Sequence, residues 1–179
     1  MARITAADAA KFDVVAHKEI SSSVEDNAAL IEDVINSIVS GYTSSLDALV
    51  KEIHGALERS NDLTDAEIDI FTLKLPIEQY YVAPRIETIG LKEDVANMIR
   101  QRLYIQARQD ATGTVEDKNN AADKAVVQET LTTVAYKRSK NQMKAKLDAS
   151  MELLSALKKV TSRRMEEYRI TNMSKEMSF

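Results

Sequence analysis

From Ala28 to Ala56 the apolar residues Ala28, Ile31, Ile35, Ile38, Tyr42, Leu49, Ile53 and Ala56 recur at helical spacing with acids between them. That spacing puts one buried stripe on an otherwise polar helix. Ser23 can cap it, with Glu25 and Asp26 in the first turn, and it should run out near Ser60-Asn61-Asp62. Gly41 inside it costs about 1 kcal/mol relative to Ala and marks a bend or a close crossing. Residues 1–22 are only weakly periodic and read as a short helix or a mobile arm.

The next start signal is Thr64-Asp65-Ala66-Glu67, which has capping-box form, with Leu63 and Ile68 at the staple positions. Pro76 and Pro84 then remove backbone donors and restrict Leu75 and Ala83, so residues 73–82 read as a short helix between prolines or as a strand. A third helix is expected from Leu91 to Ala111, with Leu91, Val95, Met98, Ile99, Arg102, Tyr104 and Ile105 around its inner side. Gly113 should end it and Thr114 start the next, making a tight αα-hairpin.

Val115 to Ile170 contains neither Gly nor Pro. As one helix these 56 residues would span about 84 Å, against about 40 Å for a compact globule of this chain length. Its second half repeats every seven residues: Tyr136, Met143, Ser150 and Leu157 in one row, Lys140, Leu147, Leu154 and Thr161 in the other, widened by Met151, Leu153 and Val160. Met143, Leu147, Met151, Leu154 and Leu157 are read as a self-association seam whose polar members set register. The alternative is packing of that seam against the acidic N-terminal helix of the same chain.

Only four Gly, two Pro and no Trp occur in 179 residues, which favours long helices. The expected fold is all-α: a helical hairpin leading into a long C-terminal helix, in an elongated, oligomeric bundle or coiled coil. Residues 1–62 form an acidic helical region, 63–90 a proline-interrupted connector, and 91–179 the hairpin with its long basic helix. No Cys is present, Met1 to Phe12 lacks a signal-peptide core, and no stretch reaches the roughly 18 apolar residues of a membrane span, so a cytoplasmic protein is expected.

The overall charge of -4 conceals a split. Residues 1–70 hold 14 acids and 5 bases; residues 71–179 hold 14 acids and 19 bases. Enzyme chemistry finds no footing: His17 and His54 are the only histidines, no Glu-x-x-His pair or H-E-x-x-H exists, and four glycines make no phosphate-cradling loop. No catalytic group, metal or cofactor is expected. The basic C-terminal helix has more consequence. Lys137, Arg138, Lys140, Lys144 and Lys146 crowd one window; Lys158, Lys159, Arg163, Arg164 and Arg169 crowd another. Such cations can track a phosphate backbone, and Tyr136 and Tyr168 can stack bases. The competing readings are pairing with the acidic Val24–Arg59 helix, or a separate protein partner. If the acidic segment shields the basic one, deleting residues 1–60 should tighten DNA binding.

Residues Leu91 to Arg169 resemble small helical proteins of tailed bacteriophages. The resemblance is carried by Tyr104-Ile-Gln-Ala-Arg, Ala111-Thr-Gly-Thr-Val-Glu-Asp-Lys118, and Leu153-Leu-Ser-Ala-Leu-Lys-Lys-Val-Thr-Ser-Arg-Arg164. In layout this is similar to phage recombination mediators of the UvsY type, in which a helical hairpin leads into a long helix with a Lys/Arg-rich end. The resemblance implies single-stranded DNA binding, assembly into homo-oligomers, and help in loading a recombinase in place of single-strand binding protein. It covers less than half of the chain, and the acidic N-terminal region lies outside it. Lys137, Arg138, Lys140, Lys144, Lys158, Lys159, Arg163 and Arg164 would then be the phosphate contacts. Two rival expectations stand beside it: a structural or scaffolding helical protein of a virion, or an acidic inhibitor occupying a host DNA-binding protein through Val24–Arg59.

Overall fold

The computed structural model describes the backbone of residues 6–60 and 62–176, and side chains over 28–59 and 62–173. Four helices follow one another: α1 (Ala6–Ser60), α2 (Asp65–Asp110), α3 (Val115–Ala125) and α4 (Val127–Glu176), with no strand among the described residues. Ser23 lies inside α1, so the helix does not begin there, whereas it does end at Ser60. What the side chains of residues 1–27 pack against, His17 and Phe12 included, lies outside the described residues.

Cross-helix pairs fix the directions. Lys74 lies 3.6 Å from Glu52, and Lys92 donates to the Tyr42 hydroxyl at 3.3 Å, so α1 and α2 run antiparallel. Gln79 donates to Ser150 at 3.1 Å, and Lys140 meets Glu93, so α2 and α4 also run antiparallel. Lys146 reaches Asp47 at 2.5 Å, and because both helices run antiparallel to α2, α1 and α4 are parallel. Three long helices thus form one layer-free bundle, and α3 lies along the far end of α2.

Each long helix turns a seven-residue repeat inward. In α1 the rows are Val39, Leu46, Ile53 and Ile35, Leu49, Ala56; in α2 they include Ile68, Leu75, Val82, Ile89 and Ala96; in α4 they include Met143 and Leu157. Burying a side chain of this size stabilises by about 1.5–3 kcal/mol, and the rows supply many of them. That sum explains why α2 is unbroken through Pro76 and Pro84. Each proline costs a helix roughly 3 kcal/mol, but both rings sit on the exposed side while Leu75, Val82, Ile86 and Ile89 are buried. The connector expected over 63–90 is therefore the first half of α2, and the helix expected to begin at Leu91 is its second half.

The caps hold the turns. Glu67 N–H donates to the Thr64 hydroxyl at 3.2 Å while Thr64 N–H donates to the Glu67 carboxylate at 2.9 Å, with Leu63 and Ile68 buried beside them. At the second turn α2 ends at Asp110 on an extended Ala111, and Gly113 follows at φ 112 rather than serving as the helix's own C-cap. A Cβ on Gly113 would meet the Asp117 carboxylate at 2.8 Å, because Asp117 reciprocates the Thr114 cap.

The expected single rod from Val115 is interrupted once. Val126 leaves helical geometry (φ -110, ψ 13) and its N–H donates back to Asp123 at 3.3 Å. Val126 and Val127 are consecutive β-branched residues, the poorer helix formers. Val126 itself is buried, as is Ala122 one turn earlier. Beyond it α4 runs without interruption for 50 residues, about 75 Å.

Candidate nucleic-acid interface

Lys140, one of the eight expected phosphate contacts, is already paired within the chain. It forms an ion pair with Glu93 of α2, and both side chains are largely covered. Its ammonium pKa is raised, first by the hydrogen bond to Glu93 and then by the field of Glu93, Asp94 and Glu87. Arg164 is the second exception. Its guanidinium bonds Asp65 at 2.5 Å, Asp62 at 2.7 Å and the Leu63 carbonyl at 2.7 Å, so it clasps the α1–α2 turn to α4. The Asp65 hydrogen bond, followed by the fields of Asp62 and Asp65, raises its pKa. Both residues tie helices together, Lys140 to α2 and Arg164 to the α1–α2 turn. Lys146 does the same work, reaching Asp47, which also accepts from Thr43 at 2.8 Å.

The other six expected contacts behave differently. Lys137, Arg138, Lys144, Lys158, Lys159 and Arg163 are all exposed. Arg163 lies 3.6 Å from Glu167 one turn along the same helix, an exposed pair worth little. The remaining five form no ion pair with any described residue. At about 100° per residue, Lys137, Lys144 and Lys158 line one edge of α4, and Lys159, Arg163 and Arg138 the adjoining outward surface. Along the axis, Asp148 and Glu152 lie between Lys137, Arg138 and Lys144 on one side and Lys158, Lys159 and Arg163 on the other, so the positive surface is two patches about 21 Å apart, measured from Lys144 to Lys158.

The seam of α4 has the expected period and a different partner. Met143, Leu147 and Leu157 are buried, and Leu154 is half-buried against the same core, all within the one chain. They pack onto α1 and α2, so these four do not form an exposed self-association seam; of the five, only Met151 stays exposed, at 48%. Ser150 is satisfied inside by Gln79 and by donating to the Leu147 carbonyl at 2.7 Å. Tyr136 packs against the core and is not free to stack a base, whereas Tyr168 is 64% exposed.

Two features escaped the sequence reading. The first is the tip of α4 beyond Arg164, where Met165, Tyr168, Ile170 and Met173 are all exposed. The second is the orientation of α2. Leu91, Val95, Met98, Ile99 and Ile105, expected on its inner side, are 41–65% exposed; the inner side is Ile86, Ile89 and Ala96. α1 is likewise no detachable arm, since Ile35 to Ala56 are core, and removing residues 1–60 would open the bundle instead of merely unmasking cations. His54 lies exposed, 3.5 Å from Glu58. Among the described residues no cluster of three metal-binding side chains is present, and no helix is long and apolar enough to cross a membrane.

No protein-family model, curated protein or solved structure matches this chain.

Proposed function

We propose that this chain is a non-enzymatic accessory protein that binds single-stranded DNA along the outward side of α4. By its resemblance in layout to phage recombination mediators, it would present that DNA to a recombinase or exchange it with single-strand binding protein. One observation carries the reading. α4 spends Lys140, Lys146 and Arg164 on interhelical ion pairs, yet leaves Lys137, Arg138, Lys144, Lys158, Lys159 and Arg163 in water. Cations retained on a face that does not contribute to folding are free to release counterions from phosphate. Two patches suit a flexible strand better than a rigid duplex, because a single strand can bend around the intervening Asp148 and Glu152. Tyr168 lies beyond the second patch, where a base can stack.

The test is fluorescence anisotropy with a labelled single-stranded oligonucleotide. Binding at low salt is expected, weakened at least tenfold by Lys137→Glu/Lys144→Glu and again by Lys158→Glu/Arg163→Glu, with the helical circular dichroism unchanged. Absence of binding at low salt overturns the reading. If stable large assemblies then appear in light scattering, the virion-scaffold alternative takes its place; capture of a host DNA-binding protein by the Val24–Arg59 surface would favour the inhibitor.

A further inference from the structure

The outward side of α2 is apolar over nearly its whole length. Ile70, Ile77, Leu91, Met98 and Ile105 are 48–65% exposed and stand at seven-residue intervals, with exposed Pro84 filling the gap in the row. Leu73, Tyr80, Tyr81, Val95 and Ile99 flank them, at 41–74% exposure. This row lies almost diametrically opposite the buried Ile68, Leu75, Val82, Ile89 and Ala96. It extends about 52 Å from Ile70 to Ile105 at 1.5 Å per residue. Taking about 150 Å² for each fully exposed large apolar side chain, it leaves roughly 800–900 Å² of apolar surface in water. That exceeds the few hundred Å² usual for a monomer's largest patch, and it matches the ~800 Å² each partner contributes to a standard stable interface.

We infer that this face is where a second copy of the chain docks, α2 against α2, antiparallel about a two-fold axis near Glu87 and Thr88. Three observations select that occupant. A heptad row over five intervals, with Pro84 within it, fits another helix of the same period, and α2 itself is such a helix. The row is symmetric end to end, so antiparallel pairing sets Ile70 against Ile105, Ile77 against Met98 and Pro84 against Leu91 of the second copy. Charge decides the direction. Glu67 and Asp69 lie at one end of α2, Arg102 and Arg108 at the other. Antiparallel docking brings Asp69 within about 3 Å of Arg108 along the axis, twice, whereas parallel docking would set each end against its own charge. The outward cations of α4 take no part in this contact.

Sedimentation and thiol cross-linking of the full chain test it, helped by the absence of native Cys. The 20.0 kDa chain should sediment as a dimer. Ile77→Asp and Leu91→Asp should each raise the dimer dissociation constant at least tenfold. Asp69→Arg and Arg108→Asp should each weaken the dimer and together restore it. Thr88→Cys, at the axis, should cross-link rapidly to its own copy. Ile70→Cys should cross-link only when mixed with Ile105→Cys, because its own mate is some 52 Å away. These mild cysteine changes on exposed sites read out geometry even if the aspartate variants fail to fold. A monomer at all concentrations, an assembly larger than two, or rapid self-cross-linking of Ile70→Cys would each overturn the inference.

Discussion

The two faces of α2 carry nearly the same pattern and meet opposite fates. Ile68, Leu75, Val82 and Ile89 repeat every seven residues and are buried; Ile70, Ile77, Leu91 and Met98 keep the same register, with Pro84 at the missing position, and are exposed. Apolar content and periodicity do not distinguish them. The neighbours do: the inner face meets Tyr42, Ser150 and the core rows of α1 and α4, while both prolines mark the outer one. A heptad row therefore says that a face is able to be covered, and says nothing about which chain covers it. The same lesson holds for α4, whose seam was legible but closes within the chain.

Mutations should separate the faces sharply. The largest effect is expected from Leu75→Ala, which opens a fully buried site and should cost about 2–5 kcal/mol in chemical denaturation. Ile77→Ala, two residues away, should change the stability of the monomer by no more than about 0.5 kcal/mol. Equal losses at the two sites would erase the distinction.

Polar members of the inner face come next. Lys140→Met leaves Glu93 largely covered without its partner and should cost about 1–2 kcal/mol, measured by urea unfolding. Adding Glu93→Leu should recover most of that loss, since an apolar pair of similar volume carries no desolvation cost. Ser150→Ala strands the Gln79 amide and should cost about 1 kcal/mol.

The smallest effect is at the caps. Hydrogen bonds from the Thr64 backbone, then from its hydroxyl, hold the Glu67 carboxyl below its ordinary value of 4.5. The Thr114 hydroxyl, then its backbone N–H, does the same for Asp117, below 3.8. A depressed carboxyl stabilises the folded chain fully above those ordinary values, and the contribution disappears as pH falls through the depressed ones. Glu67→Gln should therefore flatten part of the acid limb of the stability profile and leave the pH dependence above about pH 6 unaltered. An acid limb identical to that of the unmodified chain would show that the cap contributes nothing.

How much could be read from the residues alone follows from which signals are local. The all-α class, the Thr64–Glu67 box, the Thr114 cap and the period of the α4 seam all rest on residues within a turn of one another, and the structure has them. Continuity of α2 was hidden, because prolines argue locally for a break and only long-range burial of Leu75 to Ile89 overrides them. The break at Val126 was hidden for the converse reason, as no Gly or Pro announces it. Which cations stay free was also beyond local reading: Lys140 and Lys144 stand one turn apart, and only the position of Glu93 on another helix separates a clamp from a candidate phosphate contact.

The most direct test of the account is the salt dependence of single-stranded DNA binding, plotted as log affinity against log salt. Each phosphate neutralised on a single strand contributes about -0.7 to the slope, so six exposed cations set a limit near -4. The expected slope lies between roughly -2 and -4, reduced in magnitude by about 2 in Lys158→Glu/Lys159→Glu/Arg163→Glu and little altered in Lys140→Met. A flat line, or a slope as sensitive to Lys140 as to Lys158 and Lys159, would contradict it.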